Sequence, residues 1–319
     1  MDTLTITPTT WRGVKAHRIL GSRLEAVLTV VGCHLACLRR RGEELNPLWQ
    51  PQWPAGDPTT IKPGVDGKWG PGPDASMLST IVGSNLCLDR FGPPWPGENR
   101  PVHGETNVVP WKMIAHATMA ECTTALPEAK LMVRRRVRID NDVLELSTGV
   151  CHDGKEARAV EWCEHTTIGD PFLDGSVFTA GLDAMRALPQ GGGDPTDMDI
   201  NKGLVMPAAD APADGSLRAG RVVAGWWTAE NKRLGRRLTA RWNREDFPWL
   251  CLWTEHKSRA FAPWSGRERT RGMEIATKPF PDGKPPQGRA EKFLGRPTTC
   301  LIQPGQWRDH VVRFAWQPL

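Results

Sequence analysis

Tyrosine is absent from this chain of 319 residues, which instead carries 15 Trp and 8 Phe. With no phenol available as acid, base or nucleophile, that branch of catalytic chemistry is closed. Every large amphipathic ring is an indole. Also missing is any run of about 18 apolar residues, which excludes an ordinary helical membrane span. Met1 to Leu20 carries Thr, Arg and His but lacks the apolar centre of a secretory leader, so a cytoplasmic location is expected. The eight cysteines, at 33, 37, 87, 122, 151, 163, 251 and 300, include no CxxC pair. A chain of this length buries a core without covalent staples, and free buried thiols in a reducing compartment are expected.

Cofactor and metal motifs are equally scarce. HExxH, GxSxG, a Walker loop and GxGxxG after a strand are all lacking. Gly191-Gly192-Gly193 has no strand-to-helix context, and His34, between Cys33 and Cys37, lies where adjacent strand residues diverge. No metal and no cofactor is therefore expected. The triplets Arg39-Arg40-Arg41 and Arg134-Arg135-Arg136 invite a nucleic-acid reading. A net charge of +5 without a recognition motif is too mild for a dedicated binder, and solvated sheet faces account for both.

What the chain does have is punctuation: 32 Gly and 28 Pro, with no sustained helical period. Short candidate strands fill the intervals: Glu25 to Val31, His34 to Arg40, Leu131 to Ile139, Val143 to Cys151, Ala159 to Thr167, Val222 to Thr228, Leu238 to Trp242, Trp249 to Glu255, Gly272 to Thr277 and His310 to Trp316. Leu131 to Ile139 alternates, except that Arg135 interrupts its apolar face, and Asp140-Asn141-Asp142 reads as a hairpin turn. Many short strands between turns predict an all-β fold, a large antiparallel sandwich or barrel. Long loops are expected at 51–73 and 189–215, neither of which breaks the chain, so 1–319 reads as a single domain.

Three segments place chemical groups beside aromatics or glycine. Phe91-Gly92-Pro93-Pro94-Trp95 precedes Pro101-Val102-His103-Gly104-Glu105. Glu161-Trp162-Cys163-Glu164-His165-Thr166-Thr167 leads into Gly169-Asp170-Pro171-Phe172. Thr270-Arg271-Gly272-Met273-Glu274-Ile275 leads into Pro279-Phe280-Pro281-Asp282. Taken singly, each has a plain structural reading as a turn, a sheet histidine or an ion pair.

In this order, however, the segments resemble the aldose 1-epimerase (galactose mutarotase) superfamily, over roughly residues 20 to 316. Val30-Val31-Gly32-Cys33-His34-Leu35, Asn46-Pro47-Leu48-Trp49 and Leu301-Ile302-Gln303-Pro304-Gly305-Gln306 fit the same pattern. Phe247-Pro248-Trp249-Leu250, Trp253-Thr254-Glu255-His256 and Pro263-Trp264 are similar to a bacterial aldose epimerase-like branch. The resemblance implies one large antiparallel β-sandwich, the galactose mutarotase-like supersandwich, with a sugar cleft on one sheet. It assigns Glu274 as general base, His165 as general acid and His103 as a second histidine holding the sugar. Asn85 matches the Asn of the family's Asn-Arg pair, but the Arg is missing, and the substrate-binding Asp of galactose-type members has no counterpart that we can place.

The implied reaction opens a cyclic hemiacetal, rotates C1–C2 and recloses the ring on the other face. One group takes the C1 hydroxyl proton while another protonates the ring oxygen, and a carboxylate with an imidazolium is a matched pair for this near neutral pH. Glu164 and Glu255 are expected to help keep an imidazole charged. Arg271, Trp227 and Trp264 are further substrate-binding candidates, although most indoles should serve as core filling. Alternatives on the same fold are a non-catalytic carbohydrate-binding protein and a phosphosugar epimerase, with Arg90, Arg271 or Arg233-Arg236-Arg237 as the anion clamp. The expected partner is a small sugar, with neither nucleic acid nor membrane, and no oligomeric state follows from the sequence.

Overall fold

The computed structural model describes residues 1–62, 67–98, 100–189, 193–283 and 292–319. Gly191 and Gly192 of the glycine triplet, and parts of both long loops, lie outside the described residues. The alternating segments behave as their period dictates. Leu131–Asp140 pairs in antiparallel register with Val143–Cys151, and Asn141, at φ 55°, makes the turn as Asn tolerates. Leu131, Val133, Arg135, Val137 and Ile139 all face inward.

Arg135 therefore does not break the pattern but completes it. Its Nη2 donates to Glu164 Oε2 at 2.6 Å and its Nη1 to the Cys33 carbonyl at 3.1 Å, while Thr148 donates to Glu164 Oε1 at 2.7 Å. A guanidinium is admitted to an interior when its charge and donors are matched in this way.

Among the described residues every pairing between strands is antiparallel, and the ladder runs continuously through an 18-stranded sheet folded over on itself. One layer follows Thr5–Trp11, Val14–Leu20, Leu24–Thr29, Leu35–Arg40, Ser84–Asp89, Arg158–Gly169, Arg269–Ala276 and Trp249–His256. The other follows Lys112–His116, Met119–Leu126, Leu131–Asp140, Val143–Cys151, Arg308–Pro318 and Arg236–Trp242. Leu217–Asn231 joins them: its first residues pair with Trp249–His256 and its last with Arg236–Trp242, while Val177–Leu188 runs along its other edge. Register shifts around Gly181 and Leu182 disturb the alternation there, which is why Val177–Leu188 escapes a period-two reading.

The interior between the layers unites Leu86, Trp162 and Met273 from one with Val133, Leu144 and Trp316 from the other. The opposite face of the first layer is left to a different cluster around Cys87, Cys163 and Cys251. The long Pro-rich stretch 51–73 carries short 3-10 turns at Pro58–Thr60 and Gly67–Trp69 and leads into the one-turn helix Ala75–Leu78. The stretch 189–215 carries a short helix, Ile200–Leu204. Among the described residues no helix is long and apolar enough to cross a membrane.

Candidate active site

Strand register builds the site. His165 is the direct partner of Asn85 on one side and of Glu274 on the other, and Glu274 is the partner of Cys251. Direct cross-strand partners project to the same face. Asn85, His165, Glu274 and Cys251 thus form a row across four neighbouring strands, on the face turned away from the interior. Within it, His165 Nε2 stands 3.1 Å from Glu274 Oε1, and His165 Nδ1 stands 3.1 Å from Thr167 Oγ1.

Gly272 lies on the same face, two residues before Glu274. A Cβ there would come within 2.2 Å of Glu274 Oε1, so the carboxyl occupies space that only glycine leaves open. His103 arrives from the loop after Ser84–Asp89. Its backbone has φ 63°, Gly104 follows at φ 81°, and a Cβ on Gly104 would meet the Leu88 carbonyl at 2.0 Å. The Gly92 amide donates to His103 Nδ1 at 3.1 Å, which leaves Nε2 as the protonated nitrogen. Phe91 stacks on the His103 ring at 5.6 Å, and the His103 and His165 rings are 5.4 Å apart.

Glu274, His165, His103 and Phe91 line a cavity of about 130 Å³ together with Trp253, Trp264 and Arg259. Trp264 lies parallel to Trp49 at 5.7 Å, and its indole N–H is buried without a protein partner. Arg259 sits 4.5 Å over Trp264 and 5.3 Å over Trp253, with its Nε 3.4 Å from Glu255.

Burial governs the protonation states. Loss of solvent pushes the Glu274 carboxyl up to about 8, against the opposing pull of the Cys251 thiol and the Arg271 guanidinium. The same burial brings His165 down to about 4, and His103 is held well below the usual imidazole range by burial, then by His165 and Arg259. At neutral pH the pair therefore holds one proton, and it resides on the carboxyl.

Not every expected residue reaches this cavity. Arg271 is three positions from Glu274 and faces the other way, where it is fully buried and donates to Thr254 Oγ1 and the Gly203 carbonyl, each at 2.6 Å. Trp227 is buried in the interior beside Phe314. Asn85 stands in the row behind His165, its amide donating to Asn107 Oδ1 at 3.2 Å. Glu164 faces the interior as the partner of Arg135. Glu255 accepts from Ser258 and holds Arg259, so neither carboxylate charges an imidazole. Arg90 is bound to Glu98, and Arg233, Arg236 and Arg237 to Asp174, Glu43 and Glu230.

Arg259 and Trp253 were not legible as site residues. Only the register of Trp253 beside Gly272 betrays the shared face, and that register is tertiary information.

The folded-over antiparallel sheet matches solved galactose mutarotase-like structures over nearly the whole chain, so the chain has the galactose mutarotase-like fold. No protein-family model matches the sequence, and no curated protein matches it. Among solved structures it is similar to the Slr1438 protein of Synechocystis sp. PCC 6803, at TM-score 0.68 and 13% identity over 100% of both chains. It is also similar to a galactose mutarotase related enzyme of Lactobacillus acidophilus, at TM-score 0.66 and 11% identity, covering 95% of this chain and 97% of that one. A galactose mutarotase-like protein of Clostridium acetobutylicum aligns at TM-score 0.62 and 12% identity over 99% of both chains.

Proposed function

We propose that the protein is a cofactor-independent sugar mutarotase of the aldose 1-epimerase type, interconverting α and β anomers. The observation that carries this reading is the His165–Glu274 contact of 3.1 Å inside a cavity that also receives His103. One titrating proton on a neighbouring carboxyl and imidazole is the inventory that ring opening requires.

With the proton on His165, the Glu274 carboxylate removes the C1 hydroxyl proton while the imidazolium protonates the ring oxygen. The C1–O5 bond breaks, C1 becomes an aldehyde, and the pair is left as carboxylic acid and neutral imidazole. After rotation about C1–C2 the carboxyl returns its proton to the aldehyde oxygen, the imidazole takes the O5 proton, and the ring closes on the other face.

The state favoured by burial, with the proton on Glu274, is thus the partner of the open-chain aldehyde. A cyclic sugar needs the proton moved to His165, a transfer across the existing contact. In this reading His103 donates from Nε2–H to the ring oxygen or a neighbouring hydroxyl. Trp253 and Trp264 offer indole surface to the C–H face of the ring.

The test is the rate of anomer exchange measured by NMR over a panel of free and phosphorylated sugars. Glu274→Gln and His165→Ala are each expected to lose about 10²–10⁴-fold, the usual contribution of a positioned proton-transfer group. Near wild-type rates in either variant would remove it from the mechanism.

A further inference from the structure

Part of the cavity wall has no role in this chemistry. Met77, Leu78 and Ile81 line it, supplied by the short helix Ala75–Leu78 and the residues that follow. All three are buried, and they belong to one apolar cluster with Trp253 and Trp264. The wall is anchored from behind: the Trp53 indole donates to the Leu78 carbonyl at 2.8 Å, and the Gly56 amide donates to the Ser79 carbonyl at 2.7 Å.

These side chains offer hydroxyl groups no strong hydrogen-bond partner. The polar groups of the lining, Glu274, His165, His103, Arg259 and the Trp264 N–H, are drawn from other segments. They suit C1–OH, the ring oxygen and a limited set of further hydroxyls. Arg259 is already engaged by Glu255, which weakens its pull on a phosphate. A hydroxyl pressed against Met77, Leu78 or Ile81 gives up water without replacement, whereas a C–H or methyl group there buries apolar surface.

We infer that the substrate is a sugar with an apolar flank: an uncharged deoxy sugar, in which hydrogen or methyl replaces a hydroxyl or hydroxymethyl group on the side facing Met77, Leu78 and Ile81. The inference rests on the mutarotase reading and narrows its substrate class.

The experiment compares kcat/KM for anomer exchange across matched sets: a parent aldohexose, its 2-deoxy and 6-deoxy forms, and its 6-phosphate. At least one deoxy form is expected to exceed its parent by about 10- to 100-fold, the range an apolar pocket commands over one added hydroxyl. The 6-phosphate is expected to fall below both. Ile81→Thr and Met77→Gln should each reduce the deoxy preference. Exchange in which every parent or phosphate equals or exceeds its deoxy form overturns the inference and leaves the mutarotase reading standing. A deoxy preference unmoved by both wall variants also overturns it, by removing the wall as its cause. No exchange with any sugar overturns the mutarotase reading itself, and the inference with it.

Discussion

His165 and Glu274 are register partners on neighbouring antiparallel strands, and their Nε2 and Oε1 atoms are 3.1 Å apart. The backbone ladder thus sets the spacing of the proposed acid and base, and no flexible loop intervenes between them. Proton-transfer groups that must hold a fixed separation gain from such rigid placement.

The pH dependence of exchange should follow the one-proton state of this pair. Below about 4 the imidazole takes a second proton, and above about 8 the carboxyl loses the last one. Between those values the proton count is constant. A kcat/KM profile that is flat across neutral pH and falls on both sides is expected, with the two limbs reporting the pair as a unit. A single limb near the ordinary imidazole range would contradict it.

Glu274 also carries a stability signature. Its folded pKa of about 8 lies above the ordinary value of 4.5. The stability associated with the neutral carboxyl is therefore full below 4.5 and lost as the pH rises through about 8. Glu274→Gln removes that loss. The variant should melt like the wild type near pH 4.5 and be more stable at pH 8.5, by on the order of a few kcal/mol. Melting curves that stay parallel across this range would argue against a buried neutral acid.

Gly272→Ala is a test of position without any change of chemistry. The new Cβ would need the space 2.2 Å from Glu274 Oε1, so the carboxyl must rotate away from His165. The sheet can keep its register, because strand backbone at this site accepts alanine. Exchange should fall by about 10²-fold, since a displacement near 1 Å can cost that much. Circular dichroism is expected to remain close to wild type.

The Arg135–Glu164 pair ties the two layers together far from solvent, at 2.6 Å. Glu164→Gln would strand a buried guanidinium and should destabilise the fold by about 3–5 kcal/mol. Replacing both partners with apolar residues of similar volume should recover much of that loss. The measurement is denaturant unfolding of the two variants beside the wild type, and a single-site loss below about 1 kcal/mol would contradict the structural role.

Much of the fold was legible because strand period and turn chemistry are local. Leu131–Asp140 with Val143–Cys151 announces itself through alternation and Asp140-Asn141-Asp142. The exposed hairpin Thr5–Trp11 with Val14–Leu20 does not, because its outer strand buries no full face. His165, Glu274 and His103 emerged through the order of three segments and a family resemblance. Arg271 and Trp227 were mistaken for cleft residues: sequence neighbourhood brings a residue near a site, but strand parity and bulges decide which face it takes. Arg259 went unseen because an arginine in a loop carries no sign of the rings it will lie against.

The amino-acid sequence by itself determined the absence of phenolic chemistry and the antiparallel β character, and it nominated Glu274 and His165 as the acid–base pair of the proposed reaction. Those properties depend on residue type and local period. Only the tertiary structure decided that His165 and Glu274 lie 3.1 Å apart, buried enough to favour the neutral form of each, that Glu164 serves the interior, and that Met77, Leu78 and Ile81 line the same cavity. Register, burial and the packing of distant segments set these features, and each arises from residues that meet only when the sheet folds over on itself.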